Sequence, residues 1–300
     1  MKLVTVFTPT YNRAYCLHQL YDSLVQQTST NFYWLIIDDG SIDNTEELVA
    51  SWIKEDKVEI QYIFQENQGM HGAHNTAYSL IKTELNVCID SDDFMPDNAI
   101  ELIENTWESI QNKEAIAGLI GYDIFKDATP IGKAIPKTIK QTTLTDLYKK
   151  HQIPGDKKLV FRTEVVNKFP KYPIFKGERF VPLGILYLMI DQKYELVCIP
   201  EPLCVVEYLE DGSSLNMLKQ YINNPKGFAF SRNIRMKYAY NLKDLIKNAI
   251  HYVSSNLIIG KSNFIKKSES KLITVLVIPF GLLLYMYIMI KVKLLNFKSK

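Results

Sequence analysis

Apolar and polar positions fall into alternating blocks along the first 110 residues. Leu3-Val-Thr-Val-Phe7 is a β-rich run that closes at Thr8-Pro-Thr-Tyr-Asn-Arg13. From Ala14 to Gln27 the apolar residues Leu17, Leu20, Leu24 and Val25 recur at helical spacing. Phe32 to Ile37 is a second apolar run, ending at Asp38-Asp-Gly-Ser41. A helix is predicted over Thr45–Lys54, with Asp43 or Asn44 as cap and the acids Glu46 and Glu47 in its first turn. Val58 to Phe64 reads as a third strand, followed by Gln65-Glu-Asn-Gln-Gly69 and a helix from about His71 to Ile81. Val87-Cys-Ile89 then ends in Asp90, Asp92 and Asp93, and a helix is predicted from Asp97 to Ile110. Strand and helix alternate four times, which argues for βαβ units and a mainly parallel sheet with helices on both faces.

The pattern loosens further on. Ile116 to Ile124 reads as a strand, and Lys126 to Lys158, with Pro130, Pro136 and Pro154, as an irregular, lid-like region. An apolar helix is expected over Val181–Ile190. Two short strands follow, Glu195–Ile199 and Leu203–Tyr208, parted by Pro200-Glu-Pro202. Tyr221 to Ser262 is helical in pattern. Leu272 to Ile290 holds no charge, with Lys266, Lys267 and Lys271 before it and Lys291 and Lys293 after it. About 20 apolar residues span a bilayer, so the run is borderline, and Pro279 and Gly281 interrupt its middle. It reads as membrane contact, either docked at the interface or spanning, against the alternative of a buried amphipathic helix.

Charge sharpens that division. The 300 residues carry a formal net charge of only +2, with 47% hydrophobic and 23% charged residues, a globular composition. Ser213–Lys300 holds 15 Lys and Arg against 2 Asp and Glu, leaving 20 against 31 for Met1–Gly212. An acidic body with a basic tail implies two tasks, the tail preferring an anionic surface. No nucleic-acid motif accompanies that tail, so nucleic acid is not expected as a partner. The four cysteines show no metal-ligand spacing, and Cys88 and Cys198 read as core thiols. The chain enters a strand directly after Met1, so the cytoplasm is the expected compartment, at the inner face of the cell membrane.

Polar clusters end three of the predicted strands, Thr8–Arg13, Asp38–Ser41 and Asp90–Asp93, and Gly69 follows another. Parallel strands bring such ends to one sheet edge, where ligands of open α/β sheets sit. Three adjacent acids call for a positive neighbour, and a hard divalent cation completed by phosphate oxygens meets that need. A solvated acidic turn capping the next helix is the plainer reading.

Thr8-Pro-Thr-Tyr-Asn-Arg13, Ile37-Asp-Asp-Gly-Ser-Ile-Asp43, Asn67-x-Gly69 with Ala73-x-Asn75, and Ile89-Asp-Ser-Asp-Asp93 occur in one order and spacing. As a set they resemble glycosyltransferase family 2, inverting enzymes of the GT-A fold, over residues 1 to about 110 and more loosely over 170 to 215. The resemblance implies a GT-A domain over 1–215, with a donor-binding half at 1–110 and an acceptor half at 111–215. The helical, membrane-associating region would be 216–300. It implies transfer from a nucleotide-sugar, expected to be a UDP-sugar, to a lipid-linked or polysaccharide acceptor of the bacterial surface. Thr8, Pro9 and Tyr11 match a wall for the nucleobase, Asp39 the acid that reads it, and Gly69 a point of close backbone approach. Asp38 matches the donor site too, or holds the turn at Gly40-Ser41. Asp90 matches the acid near ribose and metal, and Asp92 the principal ligand of Mg²⁺ or Mn²⁺. Where relatives carry Glu-Asp this chain has Gly177-Glu-Arg179, so Glu178 becomes the candidate base, with Asp191 and then Asp211 behind it; pairing of Glu178 with Arg179 or a Lys is the plain alternative. His71 and His74 replace basic residues of relatives, as phosphate contacts or as partly exposed residues of a helix start. Tyr208-Leu-Glu-Asp-Gly-Ser213 resembles an acceptor-side segment. A metal-dependent nucleotidyltransferase and a non-catalytic binding protein of the same fold are the other readings.

Overall fold

A computed structural model describes residues 2–207, 217–260 and 262–298. The elements begin with β1 (Val4–Thr10), α1 (Leu17–Val25), β2 (Phe32–Asp38), α2 (Thr45–Glu55), β3 (Ile60–Phe64), α3 (Met70–Leu80), β4 (Leu85–Cys88) and α4 (Ala99–Glu108). Next come β5 (Ile116–Ile124), β6 (Gln141–Thr142), α5 (Leu144–Lys149), β7 (Lys157–Arg162), α6 (Thr163–Asn167), α7 (Gly184–Ile190) and β8 (Glu195–Val205). The remaining helices are α8 (Met217–Asn223), α9 (Pro225–Lys237), α10 (Leu242–Ile259), α11 (Phe264–Lys267), α12 (Lys271–Leu276) and α13 (Ile278–Lys298).

Two compact units divide the chain: Met1–Lys171 with Met189–Leu209, and Tyr172–Leu188 with Glu210–Lys300. The sequence pattern sets a single boundary near 215, whereas the structure also groups Tyr172–Leu188 with the C-terminal helices.

The first unit is built on one eight-stranded sheet, ordered β3-β2-β1-β4-β7-β5-β8-β6. β3, β2, β1 and β4 run parallel, as their alternation with helices requires. Every residue of β1 is buried, the signature of a strand covered on both faces. The period of two sorts its side chains. Val4 and Val6 join a core with Leu17, Leu20, Trp34, Trp52, Ile100 and Trp107, which brings α1, α2 and α4 to one face. Phe7 points the other way, its ring 5.1 Å from His74 and 5.5 Å from Tyr78 of α3. Each fully buried Leu or Ile in such a core contributes about 1.5–3 kcal/mol, and that apolar burial offsets the polar groups enclosed nearby.

Three expectations change. The stretch read as a lid carries β6 and α5 and runs into the start of β7, which lies antiparallel between β4 and β5. Its leading Lys157-Lys158 masks a Leu-Val-Phe run that finds ladder partners on both sides. The two strands expected around Pro200-Glu-Pro202 are one, β8. Both prolines are tolerated because β6 pairs only with Leu196 and Val197, leaving Pro200 and Pro202 on an edge stretch of β8, and the β5 ladder slips beside Pro202. The uncharged run of 272–290 is two helices broken at Val277, ahead of Pro279, which sits in the first turn of α13 where its missing N–H costs nothing.

Candidate active site

The parallel register brings Thr10 of β1 opposite Asp38 of β2, Asp38 opposite Phe64 of β3, and Phe7 opposite Cys88 of β4. The polar clusters after these strands therefore share one edge of the sheet, as the sequence predicts.

The β1 corner is knit to the β2 corner. Asn12 adopts φ 53°, its N–H donates to Ser41 Oγ at 2.9 Å, and its Oδ1 accepts from the Ile42 N–H at 2.8 Å. Tyr11 stays 48% exposed, available as a stacking surface. Pro9 is buried within β1. Thr8 is withdrawn from the donor-contacting set: it is fully buried, and its Oγ1 accepts from the Trp34 indole N–H at 2.9 Å. Asp38 is withdrawn for the same reason. Fully buried, it accepts from the Ser41 N–H at 2.7 Å and the Tyr62 hydroxyl at 2.6 Å, so it holds the turn. Asp39 faces the loop after β3. It accepts from Gln65 Nε2 at 2.7 Å, the Gln68 N–H at 2.9 Å and the Gly69 N–H at 2.7 Å. Thr76 of α3 in turn donates to Gln65 Oε1 at 2.6 Å. Gly69 sits at φ 81°, ψ 167°, a backbone position that only glycine takes without strain, which lets its amide point at Asp39.

His71 and His74 are both buried, against the expectation of partial exposure. Neither ring nitrogen of His71 has a hydrogen-bond partner among the described residues, and burial, with His74 adding to it, lowers its pKa to about 4. His74 Nδ1 lies 2.9 Å from the Met70 carbonyl. A neutral, buried imidazole is a packing group, not a phosphate clamp.

The corner after β4 is different. Asp90 and Asp92 are half-buried and Asp93 is buried. Asp93 accepts a long bond from the Glu207 N–H at 3.4 Å and has Lys158 Nζ at 3.9 Å. The same ammonium lies 4.0 Å from Asp123 Oδ2. Burial pushes the Asp93 carboxyl up to about 8; Lys158 opposes that, and Asp90, Asp92 and Asp123 add to it. Burial raises Asp123 as well. Burial works against the Lys158 charge, but Cys204, Asp123, Asp93 and Asp90 outweigh it and hold its pKa well above the usual value. One ammonium thus serves a crowd of carboxylates. Lys158 and Asp123 were missed by sequence reasoning. The only available signal was the β-rich Leu-Val-Phe161 after Lys158, which implies a strand and so a buried lysine.

This geometry bears on the metal. Among the described residues no group of three or more His, Cys, Asp and Glu side chains forms a cage. The over-negative corner at Asp90 and Asp92 fits a cation with few protein ligands, its remaining positions filled by water and diphosphate oxygens.

The family described as Glycosyl transferase family 2 matches residues 5–168, more than half of the chain. The chain belongs to glycosyltransferase family 2. Among its relatives is glycosyltransferase GlyG of Streptococcus pneumoniae, 31% identical over 126 residues, 41% of this chain and 40% of GlyG. Another is the poly(ribitol-phosphate) β-N-acetylglucosaminyltransferase TarP of Staphylococcus aureus, 30% identical over 141 residues, 46% of this chain and 41% of TarP. These matches span about two fifths of either relative. The fold extends the likeness. S. aureus TarS 1–349, solved with UDP-GlcNAc, superposes with a TM-score of 0.59 at 14% identity, covering 96% of this chain and 90% of that one. A Pyrobaculum calidifontis mannosyltransferase, solved with GDP-Man and Mn²⁺, gives 0.52 at 17% identity, covering 99% and 87%. The sheet of this family 2 chain is the GT-A fold.

Two of the three base candidates of this family 2 chain, Glu178 and Asp191, have another occupation. Glu178, 5% exposed in the second unit, accepts from the Lys226 N–H at 3.0 Å and the Gly227 N–H at 2.9 Å, closing the N-terminus of α9. The neighbouring Arg179 N–H donates to Asn224 Oδ1 at 2.7 Å, at the same helix start. Of the plain alternative, pairing with Arg179 or a Lys, the Lys half is found: the Lys226 ammonium lies 3.9 Å from Glu178, beside the two backbone amides. Asp191, in the first unit, accepts from the Leu144 N–H at 3.2 Å and from Thr145 N–H and Oγ1 at 2.8 and 2.6 Å, anchoring α5. Asp211 and the Tyr208–Ser213 segment lie outside the described residues.

Proposed function

We propose that this chain transfers a sugar, with inversion, from a UDP-sugar to a hydroxyl of a lipid-linked or polysaccharide acceptor in cell-surface glycan synthesis. The observation that carries the reading is the shared sheet edge: a saturated, preformed corner at Asp39 and Gly69 beside a charge-crowded corner at Asp90 and Asp92. In this reading Tyr11 stacks on the base, Asp39 supports the loop that reads it, and the Gly69 backbone lies against the donor. Asp90 and Asp92 would hold Mg²⁺ or Mn²⁺, which when bound neutralises charge developing on the departing diphosphate. That TarS is seen with UDP-GlcNAc supports a uridine donor; the GDP-Man of the archaeal neighbour makes guanosine the competitor to exclude. Proton removal from the acceptor by Glu178 or Asp191 would require each to surrender its amide donors, so the reading treats both as helix anchors.

Incubation of the full chain with a panel of UDP-, GDP- and CMP-sugars, with Mg²⁺, Mn²⁺ or chelator, tests this. Metal-dependent release of UDP from one donor is the expected result. Release from GDP- or CMP-sugars alone overturns the donor assignment, and no turnover or nucleotide binding with any donor overturns the enzyme reading.

A further inference from the structure

We infer that the exposed apolar face of α12 and α13 docks this chain on an anionic lipid surface, with the helices lying along it. The inference stands apart from the donor and acceptor of the proposed reaction.

Residues 278–290 of α13 are apolar on every side, a pattern that belongs in a core or in hydrocarbon. One side is accounted for. Gly281 is buried so closely that a Cβ there would come within 2.4 Å of Val253 on α10, and Ile288 is buried with Tyr221 and Phe228. The opposite side is bare. Phe280, Leu283, Tyr287, Ile290 and Leu294 recur at three- and four-residue spacing and are 53–60% exposed. On α12, Leu272 and Leu276 are exposed as well. Contiguous apolar surface of this kind marks an interaction site.

Charge selects the occupant. Lys266, Lys267 and Lys271 are exposed at one end of the face, and Lys291 and Lys293 at the other. The Lys291 ammonium lies 5.2 Å from the centroid of the exposed Tyr287 ring, which puts positive charge at the apolar face itself. No acidic residue occurs from Lys271 to Lys293. A second copy packed on this face, parallel or antiparallel, would set lysines against lysines. An anionic headgroup layer complements both ends at once and takes the apolar side chains between them. No helix among the described residues is long and apolar enough to cross a membrane.

The test is co-sedimentation of the full chain with vesicles of phosphatidylcholine alone and with added phosphatidylglycerol, beside light scattering without vesicles. Pelleting with the anionic vesicles and a monomer in solution are expected. A basic residue near such a surface is worth about fivefold in binding, so Lys266→Glu/Lys267→Glu/Lys271→Glu should weaken it on the order of 100-fold. Phe280→Glu/Leu283→Glu should abolish it with an unchanged thermal melt. If the apolar variant melts early, the lysine variant, altered only at exposed positions, decides. The inference is overturned if wild type ignores anionic vesicles, if the lysine variant binds like wild type, or if wild type is a dimer that Phe280→Glu/Leu283→Glu breaks. None of these readouts uses sugar transfer, so failure here and failure of the proposed reaction are separable.

Discussion

The corners after β2 and β4 lie one strand apart on the same sheet edge, and both end in adjacent aspartates. Their electrostatics are opposite. At the β2 corner Asp38 and Asp39 are met by amide, hydroxyl and side-chain amide donors, all at 2.6–2.9 Å. At the β4 corner Asp93 has contacts of 3.4–3.9 Å, and burial, with its like-charged neighbours adding to it, pushes it toward the neutral form. The first is complete without a ligand and acts as scaffold. The second crowds Asp90, Asp92, Asp93 and Asp123 around Lys158, the condition under which a cation and a diphosphate bind with most gain. The same residue type builds a frame in one place and a site in the other, and the number of protein donors within reach makes the difference.

Removing the one ammonium at the β4 corner is the harshest test of that contrast. Lys158→Met takes from buried Asp93 and Asp123 the ammonium that lies within 4.0 Å of both. It should cost about 3–5 kcal/mol of stability, the usual result of breaking a buried pair, measured by urea unfolding at pH 7. A loss under about 1 kcal/mol would mean the carboxyls are already satisfied in another way.

A pH titration probes α3, which begins just after the Gly69 amide that binds Asp39 of the β2 corner. The folded pKa of His71 is lowered to about 4 from an ordinary 6.5. Above pH 6.5 the ring is neutral in both states and its contribution is full. As pH falls toward 4 the unfolded ring gains a proton that the folded ring refuses, so stability falls, by about 3 kcal/mol at most. His71→Leu should flatten that part of the stability profile. An identical slope in wild type and variant would show that water reaches the ring.

Asp92→Asn should lower turnover roughly 10²-fold or more, as loss of an electrostatic stabiliser does. Its melting temperature should hold or rise, because Asp93 loses a repelling neighbour. Asp39→Asn should reverse that pattern, setting an amide NH₂ against the Gln68 and Gly69 N–H groups at about 1–3 kcal/mol, with the melt reporting the loss. If Asp92→Asn unfolds the protein and Asp39→Asn does not, the division into site and scaffold is wrong.

The smallest effect is expected at Glu178→Gln, which keeps one acceptor oxygen for α9. About 1 kcal/mol of stability should be lost while transfer per folded molecule stays near normal. A large fall in kcat with an unchanged melt would restore Glu178 as the base.

What the sequence determined by itself is what near neighbours decide. The apolar runs Leu3–Phe7 and Phe32–Ile37, the helical spacing of Leu17, Leu20 and Leu24, and the polar clusters closing the strands all act within a few residues, and the parallel sheet with its ligand edge follows from them. The basic, uncharged-cored tail was legible for the same reason. Only the tertiary structure decided which acids are satisfied. Asp93 meets Lys158 across 65 residues, Glu178 meets the amides of Lys226 and Gly227, and Asp191 meets Thr145. A carboxylate that caps a distant helix and one crowded by other carboxylates are spelled alike. What separates them is the local supply of N–H donors, and that supply exists only once remote segments have returned to pack beside them.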